Sequence, residues 1–537
     1  MIKKVISHSV QSQYSEKKLP TETATVNSIN LIVVFGHQEK FIFFTTLVHL
    51  ISKIISMSNL SVFKKYPSIF WISNLIELFE RYAWYGFYMG FGLFLVGSKE
   101  TGAMGFSPVE KGTIMGTGSM LLYFLPILTG AIADKIGYKK VLLLAFLIYA
   151  SGFFMIQQFG SFEMVFISFI WICVGGAFFK PIISAMISKT TNPETSSIGF
   201  GIFYMMVNIG GFIGPFVAGI VLGKGWNFVF MLSIAAIAIN FLITLLFFRE
   251  PFREKSSDSL IKSLIQPFKN IYITLINWRY SMFLVIMSIF WAAFNQLYYT
   301  FPIFVEDWVD TAIIYQGIHS VFPSFANLIG TPSGTISAVT LSSMDSFFII
   351  AFQIAVSAFV MRFKPLNAMM GGIFVLSIGL FLMFGMQSGW IVLFGLLIFG
   401  LGEMSSSPKY TEYVGSIAPS DKKALYMGSS FLALALGHQI AGFLSGAPYE
   451  KVADKLYLLK EEVLIRGLAV PEIGDNFTKT DYFNEAAKQM GMTQQQLTDF
   501  LWDSYQPQSI WIIFSSVALT AVVLLFLYDR FILQKEH

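Results

Sequence analysis

Glu77, Glu80 and Arg81 stand three and four residues apart inside an apolar run from about 69 to 96. On a helix those spacings put all three on one face. A charge at the centre of a bilayer costs about 2.5–3.5 kcal/mol even on a lenient insertion scale. Three in one turn therefore need partners elsewhere in the chain. Two carboxylates beside a fixed cation can exchange protons as a coupled set. Trp84, Tyr85 and Tyr88 continue the same face. A second charge, Lys180, sits beside Pro181 in another apolar run, some seven residues short of its nearer end. Asn208, Asp345, Glu403 and His438 are further polar residues in apolar surroundings, and His438 has the side chain that titrates nearest neutrality. There is no HExxH, GxSxG or metal-ligand cluster, so no catalytic residue, no metal and no enzyme is expected.

The elements that must position these groups follow from composition. The chain has 537 residues, 55% hydrophobic and only 13% charged, with a mean hydropathy of +0.64. It lacks the charged residues for a soluble surface and reads as an all-α polytopic membrane protein. Apolar runs predict spans near 69–96, 112–133, 140–156, 164–187, 198–222 and 228–248. A polar stretch follows. Further spans are predicted near 282–305, 336–361, 368–386, 390–417, 425–446 and 510–527. That gives about 12 transmembrane helices, six and six. The domain division is 1–66, an N-terminal extension; 67–248, the first bundle; 249–280, a linker; and 281–537, the second bundle with an insert at 448–507. In the linker Leu260, Ile261, Leu264, Ile265 and Phe268 approach helical spacing and predict an amphipathic helix on the membrane surface. Cys173, the single cysteine, reads as a small buried residue.

Residues 1–61 fit none of this. Positions 27–35 are too short to span, and 40–57 carry Lys40, His49 and Lys53. No signal-peptide pattern is present. The segment reads either as an amphipathic surface element or as sequence preceding a true start at Met57, the second being favoured.

Basic residues favour the cytoplasm in short loops. Lys135, Lys139, Lys140, Lys189, the linker cations, Arg362, Lys364, Lys422, Lys423 and Arg530 fall on one side if the spans alternate. Both termini and the linker are thus expected inside, in a plasma (inner) membrane, with the insert on the other side. The net charge of +4 is small and gives no nucleic-acid signal. Lys409 and Glu412, near an inner helix end, read as snorkelling side chains.

The string from Gly130 through Asp134 and Gly137 to Lys139 and Lys140 resembles the GxxADxxGxKK loop of the major facilitator superfamily, which latches the cytoplasmic side. Glu77-x-x-Glu80-Arg81, Gly175-Gly176 with Lys180-Pro181, and the 203–212 string resemble the proton-coupled oligopeptide transporter branch in order and spacing. The resemblance covers the chain from about 67 onward, without the insert. It implies a major facilitator fold of two six-helix bundles and proton-driven symport of di- and tripeptides. Glu77, Glu80, Arg81, Lys180 and Glu403 match the proton-coupling network. Tyr85, Tyr123, Asn208, Trp291, Asp345 and Glu403 match pocket positions, with Lys180 and Glu403 taking the substrate carboxylate and amine. Two departures stand out. Tyr88 replaces a frequent arginine, and Asn295 replaces a glutamate that is proposed to pair with it as an outer gate. A neutral Tyr88–Asn295 contact is the expected substitute, and both are counted as pocket residues. Asp345 stands where asparagine is usual. No cofactor beyond the proton gradient, a lipid bilayer as partner and function as a monomer are expected. A symporter for another small zwitterion or organic anion, and a membrane scaffold using the insert for docking, remain as alternatives.

Overall fold

The computed structural model describes residues 63–192, 194–250, 260–474 and 476–533. The expectations for residues 1–61 lie outside them. The described secondary structure is helical. Helix α1 (Ser68–Val96) starts after Pro67 and ends at Gly97. Helix α2 (Pro108–Phe124) starts from a capping box, in which Ser107 Oγ accepts from the Glu110 amide and the Glu110 carboxylate accepts from the Ser107 amide at 2.8 Å. Helix α3 (Pro126–Ile136) continues it after a 46° bend. Pro126 cannot supply the amide that an unbroken ladder needs, so the second span is a broken one. Helices α4 (Tyr138–Gln158), α5 (Phe162–Lys189), α6 (Ser196–Leu222) and α7 (Trp226–Phe247) complete the first bundle. Helix α8 (Leu260–Leu275) occupies the linker.

The seventh span departs most from expectation. Instead of one helix over 282–305, the chain forms α9 (Trp278–Phe294), α10 (Gln296–Tyr299) and α11 (Phe301–Trp308). The first two together make a spanning column, Trp278–Tyr299, and Pro302 sits where the ladder would have to continue. Two short helices, α12 (Ala312–His319) and α13 (Pro323–Ile329), lie between the seventh and eighth predicted spans. The second bundle then runs α14 (Ala338–Ser342), α15 (Met344–Val360), α16 (Pro365–Phe384), α17 (Gly389–Ile417) and α18 (Lys423–Leu444). The insert forms α19 (Ala447–Ala453), α20 (Lys455–Ile465), α21 (Lys479–Gln489) and α22 (Gln494–Tyr505) before the last span, α23 (Ile510–Tyr528).

Among the described residues ten helices are long and apolar enough to cross a membrane, eleven with the bent pair. Helix α1, at 29 residues, has the length for a crossing at 1.5 Å per residue. Its charges and tyrosines keep it out of that set. With it the spans among the described residues number twelve.

Glycines set the packing. A Cβ on Gly210 would lie 2.6 Å from Arg81 Cβ and 2.7 Å from the Leu78 carbonyl. The glycines therefore let α6 lie directly against the charged turn of α1. Between the bundles, Gly112 and Gly116 of α2 meet Gly442 of α18 backbone to backbone, with a Gly442 Cβ placed 2.8 Å from Gly116 Cα. The same end is closed by α6 against α14, where Gly219 faces Thr340. Toward the other end the bundles part around a cavity of about 760 Å3. Tyr204, Trp291, Gln353, Ser407, Tyr410 and Met427 are on its wall.

The insert lies over the closed end. Lys479 Nζ donates to the Val96 carbonyl at 2.7 Å, at the end of α1. Trp308 Nε1 donates to the Ala453 carbonyl at 2.9 Å, and Lys455 Nζ to the Asp307 carbonyl at 3.0 Å. A second cavity of about 500 Å3 lies between insert and bundles, with Glu306, Asp307, Asp454, Lys455 and Lys479 on its wall.

Candidate functional site

Helix α1 brings Glu77, Glu80 and Arg81 together as their spacing requires. All three are buried, Glu80 completely. Arg81 Nε lies 3.2 Å from Glu77 Oε1, and Arg81 Nη2 pairs with Glu80 Oε2. The second Glu80 oxygen accepts from Tyr149 Oη of α4 at 2.7 Å. A buried ion pair is tolerated only when its remaining lone pairs are satisfied. Tyr149 does this here, and sequence reasoning passed it over as one more aromatic in an apolar run. The available signal was a hydroxyl at the middle of a span, which needs a partner.

Lys180 Nζ lies 3.8 Å from the ring centroid of Tyr123, a cation–π seat. Tyr123 in turn stacks on His438 of the second bundle, ring centroids 4.8 Å apart. His438 Nδ1 lies 3.1 Å from Tyr299 Oη. A chain of aromatic contacts thus leads from Lys180 across the bundle interface. Tyr85 also faces across. Its ring is 5.8 Å from Arg81 Cζ and 6.1 Å from the ring of Tyr298.

On the second bundle, Asp345 of α15 and Glu403 of α17 face each other within hydrogen-bonding reach. Asp345 is 2% exposed. Asp345 Oδ1 and Glu403 Oε2 have no hydrogen-bond partner among the described residues, nor do Trp291 Nε1, Gln353 Oε1 and Ser407 Oγ. The last three belong to residues on the wall of the open cavity. The sequence pointed to Asp345 and Glu403 as separate pocket residues; the fold makes them a pair.

Other positions are resolved more plainly. Asn208 Nδ2 bonds the Tyr204 carbonyl of its own helix at 2.8 Å. In place of the expected Tyr88–Asn295 contact, each residue bonds within its own bundle. Tyr88 Oη shares a hydrogen bond with Ser119 Oγ at 2.8 Å, and Asn295 Nδ2 donates to the Trp291 carbonyl at 2.8 Å. That carbonyl also takes the Asn295 backbone amide at 3.0 Å, so it serves both nitrogens of Asn295 at the end of α9. Lys409 does not snorkel. It is 7% exposed and pairs with Glu412 at 2.8 Å.

In the loop of α3 and α4, Asp134 Oδ1 accepts from Tyr138 Oη at 2.7 Å. Tyr138 Oη also accepts from Lys189 Nζ at 2.8 Å, and its amide donates to Glu250 Oε1. Lys139 Nζ caps the Leu245 carbonyl at 2.8 Å. Gly137 holds φ +117°, which a side chain strongly disfavours, and Gly130 passes Pro181 closely. The loop therefore ties the ends of α3, α4, α5 and α7.

Helical spans in two bundles that part around a cavity, with buried charges in both bundles, have the build of a membrane transporter. Residues 74–442 match the Major Facilitator Superfamily, and the chain belongs to it. A peptide transporter of Yersinia enterocolitica is 24% identical over 472 residues, covering 72% of this chain and 88% of that protein. Dipeptide and tripeptide permease B of Shigella dysenteriae is 23% identical, covering 73% and 88%. Dipeptide and tripeptide permease A of Escherichia coli reaches 30% over 188 residues, 34% of this chain and 36% of the permease. The resemblance to the peptide-transporter branch therefore stands. Among solved structures, a POT family transporter in complex with 5-aminolevulinic acid superposes with a TM-score of 0.63 at 16% identity, covering 86% and 96% of the two chains. A nucleoside transporter gives 0.61 at 13%, covering 86% and 100%. At these identities the likeness concerns the fold.

Proposed function

We propose that the chain is a proton-coupled symporter of di- and tripeptides working by alternating access. The observation that carries this is the division of buried charge between the bundles. Arg81 and Lys180 belong to the first bundle, and the buried acids Asp345 and Glu403 to the second. A short peptide presents a carboxylate and an ammonium a few ångströms apart and joins the two walls. Its carboxylate goes to Lys180, which a cation–π contact holds less firmly than an ion pair would. Its ammonium goes to Glu403. Protonation of Glu77 or Glu80 loosens Arg81 and lets the bundles rearrange. Each inward proton adds about 2.3 kcal/mol per 100 mV.

The remaining assignments belong to the same reading. Glu77, Glu80, Arg81, Lys180 and Glu403 handle protons. Tyr85, Tyr88, Tyr123, Asn208, Trp291, Asn295 and Asp345 shape the pocket. Gly130, Asp134, Gly137 and Lys139 latch the cytoplasmic side. The termini and α8 lie in the cytoplasm, the insert outside. The chain works as a monomer in the plasma membrane, with the proton gradient in place of a cofactor and without enzymatic activity.

One observation favours a second reading. Two acids at the amine end, in place of one, suit any small ammonium-bearing zwitterion. Uptake of labelled di-alanine into proteoliposomes under an imposed pH gradient, with tripeptides and amino acids as competitors, separates the two. Gradient-driven uptake blocked by tripeptides and abolished by Lys180→Ala is expected. No uptake of any peptide overturns the peptide reading and leaves the fold untouched.

A further inference from the structure

Lys111 is a fully buried lysine, 0% exposed, in the first turn of α2. Its ammonium donates to the Tyr299 carbonyl at 2.9 Å and lies 5.3 Å from the ring centroid of Tyr449. Asp454 acts on it at longer range. These partners come from three places: α2 belongs to the first bundle, Tyr299 to the second, and Tyr449 to the insert. Tyr299 is itself 0% exposed and returns the contact, its hydroxyl donating to the Met115 carbonyl of α2 at 2.9 Å.

The Tyr299 carbonyl has a particular standing. Tyr299 is the last residue of the Trp278–Tyr299 column. The carbonyls ending a helix are short of intrahelical donors and carry the negative end of its dipole. A lysine is the favoured side chain at such an end. Here the lysine reaches it from the opposite bundle, next to Gly112 and within about a turn and a half of Gly116, where the backbones touch.

We propose that Lys111 is a positioning residue that ties this end of the transporter shut by capping the α9–α10 column of the other bundle. Opening the end draws Lys111 away from the carbonyl and into water, where its ammonium is hydrated. Reclosing strips that water and returns the ammonium to the carbonyl beneath Tyr449. The tie does the work assigned in related proteins to the charge pair that Tyr88 and Asn295 do not form. The inference rests on the transport reading for its consequence, though not for its test.

The test uses the full chain in lipid nanodiscs without substrate. Cys173→Ser removes the native thiol, and spin labels at Lys224→Cys and Val321→Cys, both exposed, report the distance across this end. The parent should show mainly the short-distance population. Lys111→Met should raise the long-distance population at least threefold and lower di-alanine uptake at least fivefold. Lys111→Gln, which keeps an N–H donor without the charge, should fall between, and it is read instead should the methionine variant not fold. Tyr299→Phe, which keeps the carbonyl, should shift the distances less than Lys111→Met. A lysine that merely fills space would lower the melting temperature and leave the distances alone. Distances for both Lys111 variants that match the parent overturn the proposal. Failure of the parent to take up any peptide would overturn the substrate reading and leave the distances interpretable.

Discussion

Tyr149 donates its hydroxyl to Glu80 at 2.7 Å, from a different helix than the one carrying the acid. Glu80 is thus held by Arg81 along its own helix and by Tyr149 across the bundle. The acid cannot change protonation without both contacts responding.

Removing the hydroxyl tests this. A hydrogen bond to a charged group contributes about 1.5–3 kcal/mol, a factor of roughly ten to over a hundred in an equilibrium. Tyr149→Phe is expected to cut pH-gradient-driven uptake at least tenfold while leaving peptide exchange in the absence of a gradient within twofold. Equal loss in both assays would show that Tyr149 serves packing alone.

The Asp345–Glu403 pair gives a second expectation. Asp345→Asn preserves shape and keeps a hydrogen bond to Glu403 while removing one site for a proton. Peptide binding should persist, and the charge moved per peptide should fall. The reversal potential of uptake in proteoliposomes reads this directly. An unchanged reversal potential would place the coupled proton elsewhere.

The insert carries its own pH dependence. Burial pushes the Asp307 carboxyl up to about 7; the neighbouring carboxylates of Asp454 and Glu306 add to the shift, and Lys455 and Lys479 oppose it. Asp307 lies in α11, beyond the spanning column. An acid whose value is raised on docking binds its proton more tightly docked than free. Docking is therefore strongest below the ordinary carboxylate range and weakens as pH rises from about 4 to about 7. The limit is about 1.4 kcal/mol per pH unit. Hydrogen-exchange protection of the α20 amides, corrected for chemical exchange, should fall between pH 5 and pH 7.5. Asp307→Asn should flatten that fall, and a slope unaltered by the variant would exclude this carboxyl as its source.

Much of this was legible in the chain. Charges three and four apart in an apolar run had to be buried together, and Glu77, Glu80 and Arg81 are. The glycine-rich string of α6 implied close packing, and Gly210 lies on Arg81. What escaped depended on partners brought from afar. Tyr149, Tyr298 and Tyr299 look like ordinary aromatics until a span 69 or more residues away supplies their contacts. Lys111 lies just outside the predicted second span and drew no attention in the sequence, because no local rule reveals a carbonyl waiting 188 residues on. The breaks in the seventh span were signalled only by Pro302, and hydropathy smooths over such interruptions. Asp345 and Glu403 were each noticed, yet their pairing depends on how α15 and α17 are packed.

The meeting of Gly112 and Gly116 with Gly442 has a consequence for how such a protein can diversify. A surface made of bare backbone offers no side chain to trade for a slightly larger or more polar one. Substitution there adds bulk and holds the bundles apart, with no graded alternative. Room for adaptation to new cargo therefore lies in the cavity wall and in the insert, where side chains can be exchanged by degrees.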